Sequence, residues 1–137
     1  MIIAVCIDDR NGMTFYGKRP SWDGEVIKDF MLLSSGRVLV APFSAELFED
    51  YDVIIDNNLL RKAKKGDYCF IENKNIAPYV KRIEKIYIYK WNEAYPSDKK
   101  FEMPDGFCLR ESVDFAGYAH KCITRLTYVR GEENNER

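Results

Sequence analysis

The chain has 137 residues, of which 46% are hydrophobic and 14% aromatic, and this supply of apolar side chains excludes a largely disordered protein. Its 21 basic residues are balanced by 22 acidic ones, so no net field draws the protein to nucleic acid or to an anionic membrane, and we expect it to bind neither. The length suits one hydrophobic core, which predicts a single domain over residues 1–131 and a disordered polar tail at 132–137.

The first half of the chain alternates between strand and helix patterns. A continuous apolar run at residues 1–7 predicts a strand buried on both faces, and apolar positions at helical spacing predict a helix over 25–33, with Asp23 as its N-cap and Gly36 as its stop. The later elements follow in the same alternation: a strand at 37–43, a helix at 45–50 capped by Ser44, a strand at 51–56, a helix at 59–65 capped by Asn57 or Asn58, and a strand at 67–72.

The last third of the chain has a different pattern. A long strand is predicted at 82–95, with Ile83, Ile86 and Ile88 on one face and Tyr87, Tyr89 and Trp91 on the other. Segments 106–115 and 121–130 alternate apolar with polar residues and predict an antiparallel pair. The fold class is therefore α/β, a three-layer αβα arrangement around a mixed, mostly parallel central sheet that ends in a C-terminal antiparallel hairpin.

Cysteine and histidine content limits the chemistry. The four cysteines have no C-x-x-C spacing, which indicates buried, unpaired thiols in a cytoplasmic protein. The single histidine, His120, cannot supply a His-rich zinc site, so we predict no metal site. Although His120 is a candidate general acid or base, its place at the entry to a strand favours an exposed or capping imidazole.

Two short segments carry the candidate site residues. "RPSWD" brings Ser21, Trp22 and Asp23 to a predicted helix N-terminus, although the cap alone would account for Asp23 and packing under the loop for Trp22. Glu72 and Asn73 follow a buried strand, where they offer oxygen ligands to a cationic or amine-bearing molecule or to a metal. Two alternatives remain for this segment: Asn73 or Asn75 caps a short helix that begins near Ile76 with Glu72 solvated, or Glu72 pairs with Arg19 or Lys18.

The order of these segments resembles the dihydrofolate reductase family over nearly the whole chain. "IIAVCIDDRNGM" is similar to that family's first strand and turn, "GKRPSW" to its Pro-Trp loop, and the run from "RIEKIYIYKW" to "TYVR" to its closing strands. The resemblance implies a dihydrofolate reductase-like fold, shortened by about one strand–helix step.

Residue by residue, the resemblance also implies that the family's working positions are lost. The pterin-binding carboxylate corresponds to Val26, and the threonine that steadies it corresponds to Tyr89. The cofactor positions correspond to Ala41–Pro42 and Ser44 for the 2′-phosphate, Glu72–Asn73 for the glycine pair at the pyrophosphate, and Ala77 for a tyrosine at the nicotinamide. A carboxylate about 4 Å from a phosphate charge repels it by roughly 4 kcal/mol at an effective dielectric near 20. We therefore expect no NADPH and no folate chemistry.

These observations lead to two hypotheses of function. In the first, the protein is a small-ligand-binding or interaction module, whose partner is a small molecule, another protein or a second copy in a homodimer. Its candidate ligand-binding residues are Ser21, Trp22, Asp23, Glu25, Phe30, Glu72 and Asn73. In the alternative, it is a divergent reductase or another enzyme that uses Asp23 or Glu25 in the cleft.

Overall fold

The computed structural model describes residues 1–131, and the predicted disordered tail at 132–137 lies outside the described residues. The strands are β1 (Ile2–Ile7), β2 (Gly12–Thr14), β3 (Val38–Val40), β4 (Ile54–Ile55), β5 (Tyr68–Ile71), β6 (Lys85–Lys90), β7 (Lys99–Lys100), β8 (Phe107–Phe115) and β9 (Ile123–Arg130). The α-helices are α1 (Gly24–Leu33) and α2 (Leu59–Lys62), and two 3-10 helices cover Pro42–Phe48 and Ala77–Arg82.

Seven of these strands form one mixed sheet in the order β4-β3-β5-β1-β6-β9-β8. The first five strands in that order pair in parallel. Strand β9 then runs antiparallel to β6 and to β8, which closes the sheet with the predicted hairpin. The predicted fold class is confirmed.

The sheet separates two hydrophobic clusters. Ile3 and Val5 of β1 point into one cluster, which α2 covers with Leu59 and Leu60. Ile2 and Ala4 point into the other, which α1 covers. The isoleucines and the aromatic residues of β6 fall into different clusters, so the predicted division of its two faces is confirmed.

Helix α1 begins and ends through local hydrogen bonds. Its N-cap Asp23 accepts a hydrogen bond from the Glu25 N–H, and Val26, Ile27 and Phe30 are its buried residues. At the other end, the Ser34 hydroxyl donates to the Phe30 carbonyl over 2.8 Å. The prediction that Gly36 stops the helix is wrong because Ser34 already caps it.

Gly36 has a different structural role. A Cβ atom at this position would lie 2.4 Å from the Gly66 carbonyl oxygen. The glycine therefore permits two loops to approach each other closely.

Several elements differ from their predictions. The helix expected at 45–50 is a 3-10 helix that begins at Pro42, because proline suits the first helical turn, and Ser44 lies inside it with no capping hydrogen bond. The strand expected at 82–95 ends at Lys90, and Asn92 leaves the extended conformation with φ 61°. Strands β2 and β7 pair as a small second sheet that the sequence did not predict.

The cysteine prediction is partly wrong. Cys69 is buried and Cys6 half-buried, but Cys108 and Cys122 are exposed. All four are free thiols. Between residues 1 and 131, no helix is both long enough and apolar enough to cross a bilayer.

Candidate functional site

A narrow space lies where α1 faces the carboxyl ends of β1 and β5. Its volume is about 10 Å³, which is room for about one water molecule. The lining residues are Cys6, Ser21, Trp22, Asp23, Val26, Ile27, Leu47, Phe70, Glu72 and Trp91. Four of the residues expected to bind a ligand, Ser21, Trp22, Asp23 and Glu72, therefore meet in one place.

The Glu72 carboxylate is held by a dense set of contacts. Arg19 donates to both of its oxygens, from Nε over 2.7 Å and from Nη2 over 2.8 Å. The Ser44 hydroxyl donates to Oε2 over 2.6 Å. The Glu72 side chain is only 9% exposed, so the prediction that it is solvated is wrong and the pairing with Arg19 is the alternative that the structure shows.

Arg19 is itself held in place from several sides. It also bonds the Glu46 carboxylate and the Phe43 carbonyl, and its guanidinium lies over the Phe43 ring. Hydrogen bonding to Glu72 raises the pKa of Arg19, which keeps the guanidinium charged. A planar fork of donors bound on two oxygens of one carboxylate is the strong form of an ion pair.

Asp23 has a buried carboxylate with four donors. Oδ1 accepts from the Glu25 and Tyr118 N–H groups, and Oδ2 accepts from the Ala119 N–H and from His120. Burial opposes ionisation, but the hydrogen bonds from His120 and the three backbone N–H groups outweigh it and lower the pKa of Asp23 from 3.8 to about 2. Asp23 is therefore an anion at neutral pH.

His120 lies beside Asp23 and is buried, so the prediction of an exposed or capping imidazole is wrong. Only 6% of His120 is exposed, and its ring stacks on the Trp91 indole at a centroid distance of 4.7 Å. Nδ1 lies 2.8 Å from Asp23 Oδ2, and Nε2 lies 2.8 Å from Ser21 Oγ. A longer contact of 3.5 Å joins Nε2 to the Tyr95 hydroxyl.

The charge on Asp23 determines which atom is the donor in each of these hydrogen bonds. An ionised carboxylate only accepts, so His120 Nδ1 carries a proton and donates it to Oδ2. In the neutral imidazole, Nε2 then presents a lone pair, and the Ser21 hydroxyl donates to it. Ser21, His120 and Asp23 thus form a continuous line from a hydroxyl through an imidazole to a carboxylate.

Another carboxylate on α1 lies beside β6 and β9. Asp29 accepts from the Tyr89 hydroxyl over 2.7 Å and from Arg125 Nη1 over 2.8 and 2.9 Å. Burial and the hydrogen bond to Asp29 raise the pKa of Tyr89. Asp29 was not among the residues predicted from the sequence. The family's carboxylate position corresponds to the apolar Val26, and only Asp23 and Glu25 were considered as replacements.

The other candidate residues lie apart from the narrow space. Phe30 is fully buried in the core and packs against the Phe48 and Phe70 rings. Glu25 and Asn73 are half-buried and do not line the space. Ile76 is the N-cap of the 3-10 helix Ala77–Arg82, so the prediction that Asn73 or Asn75 caps it is wrong, although Asn75 Oδ1 accepts a hydrogen bond from the Ala77 N–H.

Two kinds of chemistry receive no support at this site. Burial, reinforced by the nearby Glu72 charge, raises the pKa of Cys6 far above its ordinary value, so its thiol stays protonated at neutral pH and is a poor nucleophile. Among residues 1–131, no three His, Cys, Asp or Glu side chains are grouped so that they could hold a metal ion.

Comparison with known proteins supports the fold alone. No protein-family model matches the chain, and no curated protein matches it by sequence. Among solved structures, the chain is similar to a dihydrofolate reductase from Enterococcus faecalis complexed with NADP(H) and RAB-propyl. The TM-score is 0.69 at 16% identity, over 96% of this chain and 97% of that one. The chain has the dihydrofolate reductase-like fold that its sequence predicts.

Proposed function

We propose that this protein uses the dihydrofolate reductase-like fold without NADPH-dependent reduction of folates, and that it binds a small cationic or amine-bearing ligand beside Trp22. The observation that carries the proposal is the open groove in which the exposed Trp22 indole lies with the carboxylates of Glu46, Glu49 and Asp50. Since a fold admits many functions, the proposal depends on these side chains rather than on the likeness to a reductase.

Three features support the loss of the cofactor and folate sites. The resemblance aligns Glu72 with a glycine that admits the cofactor's pyrophosphate, and a side chain there, held by Arg19 and Ser44, opposes the close approach that glycine permits. Arg19, the nearest guanidinium, is already bound to Glu72, Glu46 and Phe43. The space between α1 and β5 has room for about one water molecule, whereas a pterin ring needs far more.

An open groove next to the narrow space supports the binding role. It has a volume of about 390 Å³ and is lined by Arg19, Trp22, Glu46, Leu47, Glu49 and Asp50. Three carboxylates face one guanidinium in this groove, and the Trp22 indole is 58% exposed. An aromatic face among carboxylates is suited to an organic cation.

The alternative, an enzyme that uses Asp23 as its general acid, has weaker support. Asp23 is buried, as such an acid would be, but its pKa of about 2 leaves it without a proton to give near neutral pH. Glu25 is half-buried at the first turn of α1 and does not line the narrow space.

One titration panel followed by tryptophan fluorescence tests both parts of the proposal. NADPH should give no saturable signal below about 1 mM, the upper end of ordinary enzyme affinities, and dihydrofolate should not be reduced. Putrescine and tetramethylammonium should give saturable signals that citrate does not give. Because Trp22→Ala also removes the reporting fluorophore, this variant is followed by isothermal titration calorimetry and should bind neither cation, while the emission of Trp91, which is 3% exposed, shows that the variant is folded.

Two results would contradict the proposal. Micromolar NADPH binding with hydride transfer to a pterin would contradict the proposed absence of NADPH-dependent reduction. Equal responses to citrate and to the cations, or responses that survive Trp22→Ala, would remove its second part.

A further inference from the structure

We propose that Ser21, His120 and Asp23 form an acyl-transfer site, in which the Ser21 hydroxyl attacks short-chain acyl esters. This inference goes beyond the proposed binding role and depends neither on the absence of NADPH nor on the cation groove. The residues come from distant parts of the chain, since 99 positions separate Ser21 from His120.

The geometry carries the assignment. A serine nucleophile needs a base within hydrogen-bond reach, and that base needs a third group that fixes its orientation and tautomer. Both distances here are 2.8 Å, Ser21 Oγ to Nε2 on one side of the imidazole and Nδ1 to Asp23 Oδ2 on the other. The two ring nitrogens therefore take the two different roles that such a relay requires.

The surroundings hold the imidazole in one orientation. Trp91 stacks against one ring face, and the Asp23 side chain is fully buried while it holds Nδ1. Three backbone N–H groups fix Asp23 in turn. The base is therefore preorganised, which lowers the cost of reaching the reactive arrangement.

Ser21 remains accessible, unlike its two partners. It is half-buried and lines the narrow space beside α1. The space holds only about one water molecule, so it does not admit a long acyl chain, and an ester has to approach Ser21 from the larger groove that shares Trp22 with it. We therefore assign short acyl groups such as acetyl as the substrate class.

The reaction balances with water as the second substrate. Ser21 Oγ bonds to the carbonyl carbon while its proton moves to His120 Nε2, and the carbonyl electron pair moves to oxygen. Collapse of this intermediate breaks the bond to the alcohol, which leaves with the proton from Nε2. Water then attacks the acyl-serine ester, gives a proton to Nε2, and releases the carboxylic acid as that proton returns to Ser21.

The competing interpretation is that the same hydrogen bonds only fix the loop before β9 to the start of α1. A structural link would leave Ser21 no more reactive than any other serine. Covalent modification by a fluorophosphonate distinguishes the two interpretations, because this reagent reacts with serines that a neighbouring base activates.

The experiment treats the full chain with a fluorophosphonate probe and follows the intact mass, with peptide mapping of the adduct. We expect one adduct per chain, located at Ser21, and a burst of p-nitrophenolate from p-nitrophenyl acetate that exceeds the burst from the octanoate ester. His120→Gln should slow labelling at least ~100-fold, and Ser21→Ala should abolish both the adduct and the burst. Ser35→Ala is the matched control, because the Ser35 hydroxyl contacts Tyr68 and not an imidazole, and it should label like the natural sequence.

Labelling of the natural sequence is informative even where a variant folds poorly. If that protein carries no adduct at Ser21, or if Ser21 reacts equally fast in a folded His120→Gln variant, the proposal is overturned. Far-UV circular dichroism of each variant establishes that it is folded. An adduct confined to another residue also overturns the proposal.

Discussion

At the scale of one residue, Asp23 is both the N-cap of α1 and the residue that holds the His120 imidazole. Its carboxylate accepts from Glu25 in its own helix and from Tyr118, Ala119 and His120 in a distant loop. Gly117 makes this approach possible, since a Cβ atom there would lie 2.6 Å from Asp23 Oδ2. One short side chain therefore fixes a helix start, a loop and an imidazole.

Because the pKa of Asp23 is lowered in the folded protein, the contribution of Asp23 to the free energy of unfolding depends on pH. Because its pKa is about 2 in the folded protein, below the ordinary 3.8, its contribution is complete above about pH 4 and is lost as the pH falls through about 2. Asp23→Asn should lower the free energy of unfolding by about 2 kcal/mol at pH 7. Urea denaturation of both proteins should show this difference shrinking by about half at pH 3. A difference that stays constant from pH 7 to pH 3 would refute this account.

The sequence predicts part of the site at this scale and misses the rest for a physical reason. Asp23 and Ser21 have a local signal, because a capping residue before an amphipathic helix can be recognised within a few positions. His120 has none, since its partner Asp23 lies 97 positions away and only the folded sheet joins them. The glycine in "AGYAH" was the available hint that a loop makes a close contact there.

At the scale of elements, Asp29 joins α1 to two strands of the sheet. Tyr89 from β6 and Arg125 from β9 both donate to this carboxylate. The Arg125 side chain is 10% exposed and the Asp29 side chain 24% exposed, so the pair lies largely out of water. Breaking such a pair leaves a charge in a poorly solvated place, which costs more than the pair contributes.

We predict an asymmetric result when either partner is removed. Asp29→Ala should destabilise the protein by about 3 kcal/mol, because the buried Arg125 guanidinium loses its main partner. Arg125→Met should cost less, since Asp29 keeps the Tyr89 hydroxyl and partial contact with water. In urea denaturation, the double variant should be more stable than the sum of the single effects predicts, by about 1 kcal/mol or more. Strict additivity would show that the two residues do not interact.

The elements that the sequence predicts well are those with a strong local pattern. β1 and β5 are continuous apolar runs and appear where expected, as does the amphipathic α1. β2 and β7 span three and two residues, and their pairing depends on a contact between distant segments. The shortened β6 likewise depends on Asn92, whose side chain donates a hydrogen bond to Thr124 of β9.

At the scale of the whole molecule, the two faces of the sheet pack against two different hydrophobic clusters. Alternate residues of β1 point to opposite clusters, and β5 and β6 divide in the same way. A loss of packing on either face therefore weakens the strands that the other face needs. From this arrangement we predict one cooperative unfolding transition for residues 1–131.

Cavities placed on opposite faces of the sheet test this prediction. Phe30 and Leu59 are both fully buried, in different clusters, so Phe30→Ala should cost about 3–5 kcal/mol and Leu59→Ala about 2–5 kcal/mol. Each should lower the midpoint of the same transition, with coincident curves from far-UV circular dichroism and from tryptophan fluorescence, even though Trp91 reports from the face opposite Leu59. Leu32→Ala, at a position 78% exposed, is the control and should change stability by less than about 0.5 kcal/mol. If Leu59→Ala instead produced an early step invisible to fluorescence, the two faces would be separate folding units, because loss of one core would leave the other intact.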